Sequence, residues 1–409
     1  MPSPFQPSYI YRVGKPIHDL CPKEVREMTR PKVVRMVLVS LGILGLGLVV
    51  SQAVESASAI ERRLFSGEVD GKRPDSAHQT AVESSTIDPD VPVLWRELGP
   101  ERLDFGYDMA IDPLNPANLY VGTGNGMMPV VYSKDYGQTW ITQTVGLALW
   151  SGCQRIAVDP VSPNYVYAAL NLSRGIYRSD DGGQTWAEKN TGLTPLPVEI
   201  SALVVHPITP TLVMAGTGTG THIYRSEDRG ESWTTIPLTD PINTRVAQIL
   251  VDPLMPSKIY AVVVGQGVFI SMDAGITWEH GGFSAAYLAI DQSDPNIMYR
   301  LQCILYRSED GGTNWVPVET PSPCYQAVHM DPTDSQVLYL TSQYRYATRT
   351  VDGGASWKIL DRAVSSWPRS ESWTLAIDPT DTTRLYLYSD RWYVSAYLDQ
   401  TVRLPIVTR

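Results

Sequence analysis

Cysteine is scarce in this chain: four in 409 residues, Cys21, Cys153, Cys303 and Cys324, with no C-x-x-C pair among them. Together with six scattered histidines, this excludes the ligand spacings of zinc sites and the paired thiols of redox motifs. Neither a metal nor a cofactor is expected. Cys303 and Cys324 could meet as a disulfide across adjacent repeats of an exported domain, and equally well stand as two lone buried thiols. Positive charge is missing where a polyanion would need it. Residues 1–35 hold seven Lys and Arg against Asp19, Glu24 and Glu27, whereas beyond them 40 acidic residues face 26 basic ones. An acidic bulk without a Lys/Arg cluster excludes nucleic acid as the partner.

Long apolar runs are absent with one exception. Residues 36–54 carry no charge and no polar face, which fits poorly with a helix packed in a soluble core. At 1.5 Å per residue they span about 28 Å, close to the hydrocarbon thickness of a bilayer. The basic excess precedes the run, so the positive-inside rule keeps the N-terminus in the cytoplasm and sends the rest across the plasma membrane, as a single-pass extracytoplasmic protein. A second reading stays open, since Ala57-Ser58-Ala59 resembles a signal cleavage site and cutting after Ala59 gives a secreted protein. The length of the preceding tail favours an uncleaved anchor. The expected organisation is a cytoplasmic basic tail (1–35), a transmembrane helix (36–54), a flexible stalk rich in Ser, Glu, Asp and Lys (55–92) and a folded domain (93–409).

That domain is built from repeats. Ser179-Asp180-Asp181-Gly182-Gly183-Gln184-Thr185-Trp186 recurs in variant form from Ser133, Ser226, Ser271, Ser308 and Thr350, with tryptophans at Trp140, Trp186, Trp233, Trp278, Trp315 and Trp357. Their spacings of 46, 47, 45, 37 and 42 residues match one propeller blade each. Chemically the motif is a β-hairpin turn: an Asp carboxylate accepts from turn amides, Gly supplies positive φ, and a Trp on the fourth strand fills the space between sheets. Asp135, Asp181, Asp228, Asp273, Asp310 and Asp352 are therefore expected to be structural. A second repeat, an apolar strand ending in Asp-Pro or a variant, occurs at Asp112, Asp159, His206, Asp252, Asp291, Asp331 and Asp378. Seven copies against six hairpin motifs predict an all-β, seven-bladed propeller of four-stranded antiparallel blades, preceded by the transmembrane helix. The last blade lacks its hairpin motif, and either 93–98 or 402–407 supplies its fourth strand, the N-terminal segment being favoured.

These residues resemble the Asp-box (BNR) repeat family over about 93–409. Several kinds of protein carry such boxes. Sialidases have six blades and a Phe/Tyr-Arg-Ile-Pro signature that is absent here, xyloglucan-degrading enzymes pair two propellers around a cleft, and sortilin-type receptors have ten blades and a Cys-rich module. The chain is most similar to the photosystem II assembly/stability factor type of seven-bladed propeller, which implies an extracytoplasmic protein that binds membrane-protein intermediates. The resemblance thus implies a non-enzymatic protein-binding scaffold, an assembly factor or accessory subunit of a photosynthetic or respiratory membrane complex; the membrane anchor expected from residues 36–54 departs from that family.

Four tryptophans fall outside the repeats, in or beside loops opposite the Asp-Pro turns. With neighbouring Arg and Tyr residues they define an expected protein-binding patch: Trp150, Arg155, Tyr344, Arg345, Trp367, Arg369, Trp373, Arg391 and Trp392. No catalytic residue is assigned. The alternative is a glycan-binding or glycan-hydrolysing propeller, with a polar ring of Asp108, Arg155, Gln248 and Tyr287 at the channel mouth and Asp108 paired with Asp104 or Asp390.

Overall fold

The computed structural model describes residues 94–98, 106–142, 145–194, 199–238, 244–322, 325–342, 347–360, 374–388 and 392–396. They form seven four-stranded antiparallel sheets. Six are continuous in sequence, blades 1 to 6 at 106–142, 153–188, 200–237, 246–280, 287–318 and 327–359. The seventh is composite: Thr374–Ile377, Leu385–Tyr388 and Trp392–Ala396 are completed by Leu94–Leu98, which pairs Leu94 with Ala396 and Leu98 with Trp392. The structure thus has six self-contained blades and one assembled from both ends of the domain, with the N-terminal segment rather than 402–407 as its fourth strand. Pairing the two ends removes the open edge that a linear stack of sheets would expose.

Each core lies between blades. Tyr120 and Tyr132 of blade 1 pack with Ile156, Val166 and Trp186 of blade 2, and an equivalent cluster follows at every joint, ending with Tyr386 and Val394 of blade 7 against Met109 and Leu119 of blade 1. The ring closes because every blade buries both faces against a neighbour. The second strands supply fully buried tyrosines, and the Tyr120, Tyr167 and Tyr299 hydroxyls donate to hairpin carbonyls of the next blade, Gly182, Arg229 and Gly353.

The two repeats meet on one face. In every hairpin motif the Asp holds its own turn: Asp181 accepts from Ser179 Oγ, Thr185 N and Thr185 Oγ1 at 2.7, 2.8 and 2.6 Å. A backbone bond then ties the hairpin to its own blade's Asp-Pro turn, as from Gly182 N to Asn164 O. Gly183, at φ 87°, is where the motif needs glycine, because a Cβ there would lie 3.1 Å from the Tyr120 ring of the preceding blade. The tryptophans sit one residue before the fourth strands rather than on them, those strands starting at Ile141, Ala187, Thr234, Glu279, Val316 and Lys358.

The membrane reading is corrected. Residues 36–54 lie outside the described residues, and among the described residues no helix is long and apolar enough to cross a membrane. The described residues are strands, turns and bends. The transmembrane helix, the single-pass plasma-membrane topology with an extracytoplasmic domain, and the bilayer as a partner rest on the hydropathy and flanking charge of that segment, and they are withdrawn.

Candidate functional site at the channel mouth

Each blade's inner strand starts on the loop face and ends at its Asp-Pro turn. Blades 1 to 4 start differently from the rest. Their inner strands are six residues long and slip register after the first pair, at Gly106/Asp108, Cys153/Arg155, Ile200/Ala202 and Val246/Gln248. The inner strands of blades 5 to 7 are four residues long and pair without a shift. A β-bulge leaves one residue unpaired and re-aims its neighbours. The unpaired residues here are Tyr107, Gln154, Ser201 and Ala247.

Three of those four line one cavity. It measures about 320 Å³ and is bounded by Tyr107, Gln154, Arg155, Glu199, Ser201, Gly218 and Arg245. The Glu199 carboxylate and the Arg245 side chain are exposed, and Tyr107 is 37% exposed. Gln154 Nε2 donates to Glu199 Oε1 at 3.1 Å, linking blade 2 to the strand entry of blade 3. The site thus offers an aromatic face, an amide, two guanidinium groups and one solvent-facing carboxylate.

The residues after the bulges stitch the blades together. Asp108 Oδ2 accepts from Ile156 N of blade 2 at 3.1 Å while its Oδ1 accepts from Met109 N at 3.1 Å. Arg155 Nε donates to Ser201 O of blade 3 at 2.7 Å, and Ser201 Oγ donates to Val246 O of blade 4 at 2.7 Å. Gln248 Oε1 accepts from Leu288 N of blade 5 at 2.8 Å. Tyr287 then meets the His329 ring of blade 6, centroids 5.7 Å apart, and Thr374 of blade 7 donates to Tyr107 O at 3.2 Å. Burial raises the Asp108 carboxyl above the ordinary range, against the opposing pull of Arg155 and its two amide donors. Burial also lowers His329 to about 4, so its ring is neutral near pH 7. Its Nε2 is buried without a hydrogen-bond partner. His329 lines a second cavity of about 410 Å³ at the other end of the channel, walled by Met109, Ile111, Leu375 and Ile377.

Of the expected patch, Arg155 stands in the mouth. Trp150 is 72% exposed at φ 65°, its N–H bonded to Gly126 O, and it is not part of the cavity wall. Trp392 begins the third strand of blade 7. Tyr344, Arg345, Trp367, Arg369, Trp373 and Arg391 lie outside the described residues, as do Asp104 and Asp390. Cys303 is an exposed free thiol, and Cys324 lies outside the described residues. Among the described residues no group of His, Cys, Asp and Glu is arranged to hold a metal ion. Sequence reading missed Tyr107, Gln154, Glu199, Ser201 and Arg245. The signal was positional: Tyr107, Gln154 and Ser201 each stand five residues before the turn residues Asp112, Asp159 and His206.

Comparison with known proteins adds three likenesses. The family model described as sortilin, neurotensin receptor 3, matches residues 174–266. Xyloglucanase Xgh74A of Acetivibrio thermocellus is 27% identical over 93 residues, covering 20% of this chain and 11% of that protein, and a Paenibacillus xyloglucanase is 28% identical over 109 residues, covering 23% and 10%. The chain therefore spans about a tenth of the length of these relatives. Among solved structures, the GH74 xyloglucanase of Xanthomonas campestris superposes with a TM-score of 0.58 at 20% identity, over 76% of this chain and 54% of that one. YCF48 bound to a D1 peptide superposes at 0.56 and 17% identity, over 75% of this chain and 99% of that one. YCF48 of Cyanidioschyzon merolae gives 0.55 at 15% identity, over 74% and 98%. At these identities the structures show a shared fold.

These findings correct the family and function read from the sequence. The matching family model is that of sortilin, and the curated relatives are xyloglucanases, which favours the alternative of a glycan-hydrolysing propeller over the assembly factor expected from the sequence. The non-enzymatic, membrane-anchored scaffold is replaced by a propeller similar to GH74 enzymes and to YCF48. The earlier exclusion used whole-protein features, namely a second propeller, ten blades and a Cys-rich module. Such features say nothing against similarity carried by a few adjacent blades.

Proposed function

We propose that this propeller binds a β-linked glucan chain across the channel mouth and acts on it as a glycoside hydrolase. One observation carries the reading: the bulges of blades 1 to 3 turn Tyr107, Gln154 and Ser201 into a single cavity beside Glu199 and two arginines. An aromatic face packs on a sugar ring while amide and guanidinium donors meet its hydroxyls. Hydrolysis uses two carboxyl groups in unlike environments, one kept protonated and one ionised. Glu199, exposed at the rim, is the carboxylate of the cavity wall; Asp108, raised by burial, is not part of that wall and gives both oxygens to the Ile156 and Met109 amides, so a second carboxyl group is not assigned. The likeness to xyloglucanases supports a β-glucan as the substrate class.

Incubation of the full chain with xyloglucan and with unsubstituted β-glucans, followed by assay of new reducing ends, tests the proposal. Release that is lost on Glu199→Gln, with oligosaccharide binding retained, is expected. Absence of release by the wild-type chain overturns the hydrolase reading, and absence of binding overturns the glucan reading with it. A second reading is favoured by coverage, since the chain matches nearly the whole of YCF48 and about half of the xyloglucanase. On that reading the same mouth takes an extended peptide, and peptide binding competed by oligosaccharide separates one shared site from two.

A further inference from the structure

The seven Asp-Pro turns carry a second asymmetry, on the face away from the mouth. Two residues past the turn Asp or His, blades 1 to 4 have Leu114, Val161, Ile208 and Leu254, whereas blades 5 to 7 have Ser293, Thr333 and Thr380. Those three hydroxyls donate to the turn carboxylates of Asp291, Asp331 and Asp378 at 2.7, 2.8 and 2.9 Å. The aliphatic side chains hold no such bond and are 53–66% exposed, and Met255 beside Leu254 is 48% exposed. A hydroxyl serves the turn better than an alkyl group, so local stability does not account for four exposed aliphatic residues at one equivalent position. They recur at one equivalent position in four consecutive blades, and exposed apolar side chains that gather on one face mark an interaction surface.

The charges bordering this arc are sorted by depth. Arg178, Lys189 and Arg225 are 6, 15 and 13% exposed, while their partners Asp180, Glu231 and Glu227 are 57, 53 and 73% exposed. Cations lie beneath and carboxylates face solvent; Lys134 of blade 1 is the exposed cation among these hairpin positions. Backbone bonds from Gly182 to Asn164 and from Arg229 to Thr211 hold the acidic hairpins against the turns that bear Val161 and Ile208. A second copy seated on this arc would bring two acidic borders together, whereas a basic partner is attracted to it.

We propose that the Asp-Pro face of blades 1 to 4 docks a segment of another protein that presents an apolar stripe flanked by Lys or Arg. The test uses the full chain and two synthetic amphipathic peptides of equal apolar content, one Leu/Lys and one Leu/Glu, read by fluorescence anisotropy. The variant carries Leu114→Thr, Val161→Thr, Ile208→Thr and Leu254→Thr, which copies the turns of blades 5 to 7 and is expected to leave the unfolding midpoint in place. The Leu/Lys peptide is expected to bind at least about tenfold more tightly than the Leu/Glu peptide. That preference is expected to be lost on the Thr variant and on Glu227→Lys with Glu231→Lys. Should the Thr variant fail to fold, the exposed charge reversals alone decide. Equal binding of both peptides, or binding unchanged in either variant, overturns the proposal. So does a wild-type dimer, or binding to neutral lipid vesicles, that the Thr substitutions abolish. Oligosaccharide binding at the mouth is unaffected by either result.

Discussion

His206 replaces the turn aspartate in blade 3, and its substitution tests how these turns hold the ring. Its ring is buried, with Nδ1 accepting from Thr209 N at 2.9 Å and Ile208 N at 3.3 Å, as an Asp oxygen does in the other blades. Nδ1 is therefore the unprotonated nitrogen, and Nε2 carries the proton donated to Pro256 O of blade 4 at 3.0 Å. His206→Asp keeps an acceptor for both amides and loses the link to Pro256, a net cost of about 1 kcal/mol. His206→Leu leaves two turn amides and the Pro256 carbonyl without their partner. At about 1–3 kcal/mol for each buried group left unpaired, lowered here because water can reach the turn, it is expected to cost about 2–4 kcal/mol. Urea unfolding followed by tryptophan fluorescence reads the order wild type, Asp, Leu. An Asp variant as unstable as the Leu variant, or a harmless Leu variant, would show that the turn does not depend on a side-chain acceptor.

Three further outcomes are expected. The hydroxyls and amides that hold Asp273 and Asp352 lower each carboxyl to about 2, so their contribution is present above the ordinary carboxylate range and is lost as pH falls from about 4 toward 2; Asp273→Asn flattens the acid limb of a stability-versus-pH curve, and an unchanged limb contradicts this. His329, lowered to about 4, contributes stability above about pH 6.5 that is lost as pH falls toward 4, so His329→Phe removes the decline in that window; a decline of equal depth in the variant contradicts it. Asp108 has the opposite sign. Its raised value means that it favours the fold most in acid and less as pH rises, so Asp108→Asn gains on the wild type as pH rises above about 4, and a loss on that side would show a carboxylate stabilised by Ile156 and Met109.

The repeat architecture was legible because turn chemistry is local. An Asp, a Gly at positive φ and a Thr within five residues announce a hairpin wherever they occur, and seven Asp-Pro strands announce seven sheets. Register was not legible. Nothing in Gly106-Tyr107-Asp108 or Cys153-Gln154-Arg155 marks a bulge, yet the bulge decides that Tyr107 and Gln154 face the mouth while Asp108 and Arg155 bond the next blade. Counting residues back from each turn did bring Asp108, Arg155, Gln248 and Tyr287 to one level. It did not show that Asp108 and Gln248 spend their oxygens on neighbouring amides. Composition misled in another way: tryptophan outside the repeats drew attention to Trp150, whereas the aromatic residue of the cavity is a tyrosine from the strand itself.

Calorimetric titration of the full chain with xyloglucan-derived oligosaccharides, beside Tyr107→Ala, tests the glycan reading of the mouth most directly. Saturable binding by the wild type that weakens about tenfold or more in the variant, the loss of about 1.4 kcal/mol of ring contact, is the predicted result. Absence of saturable binding, or equal affinity in the two proteins, would contradict it.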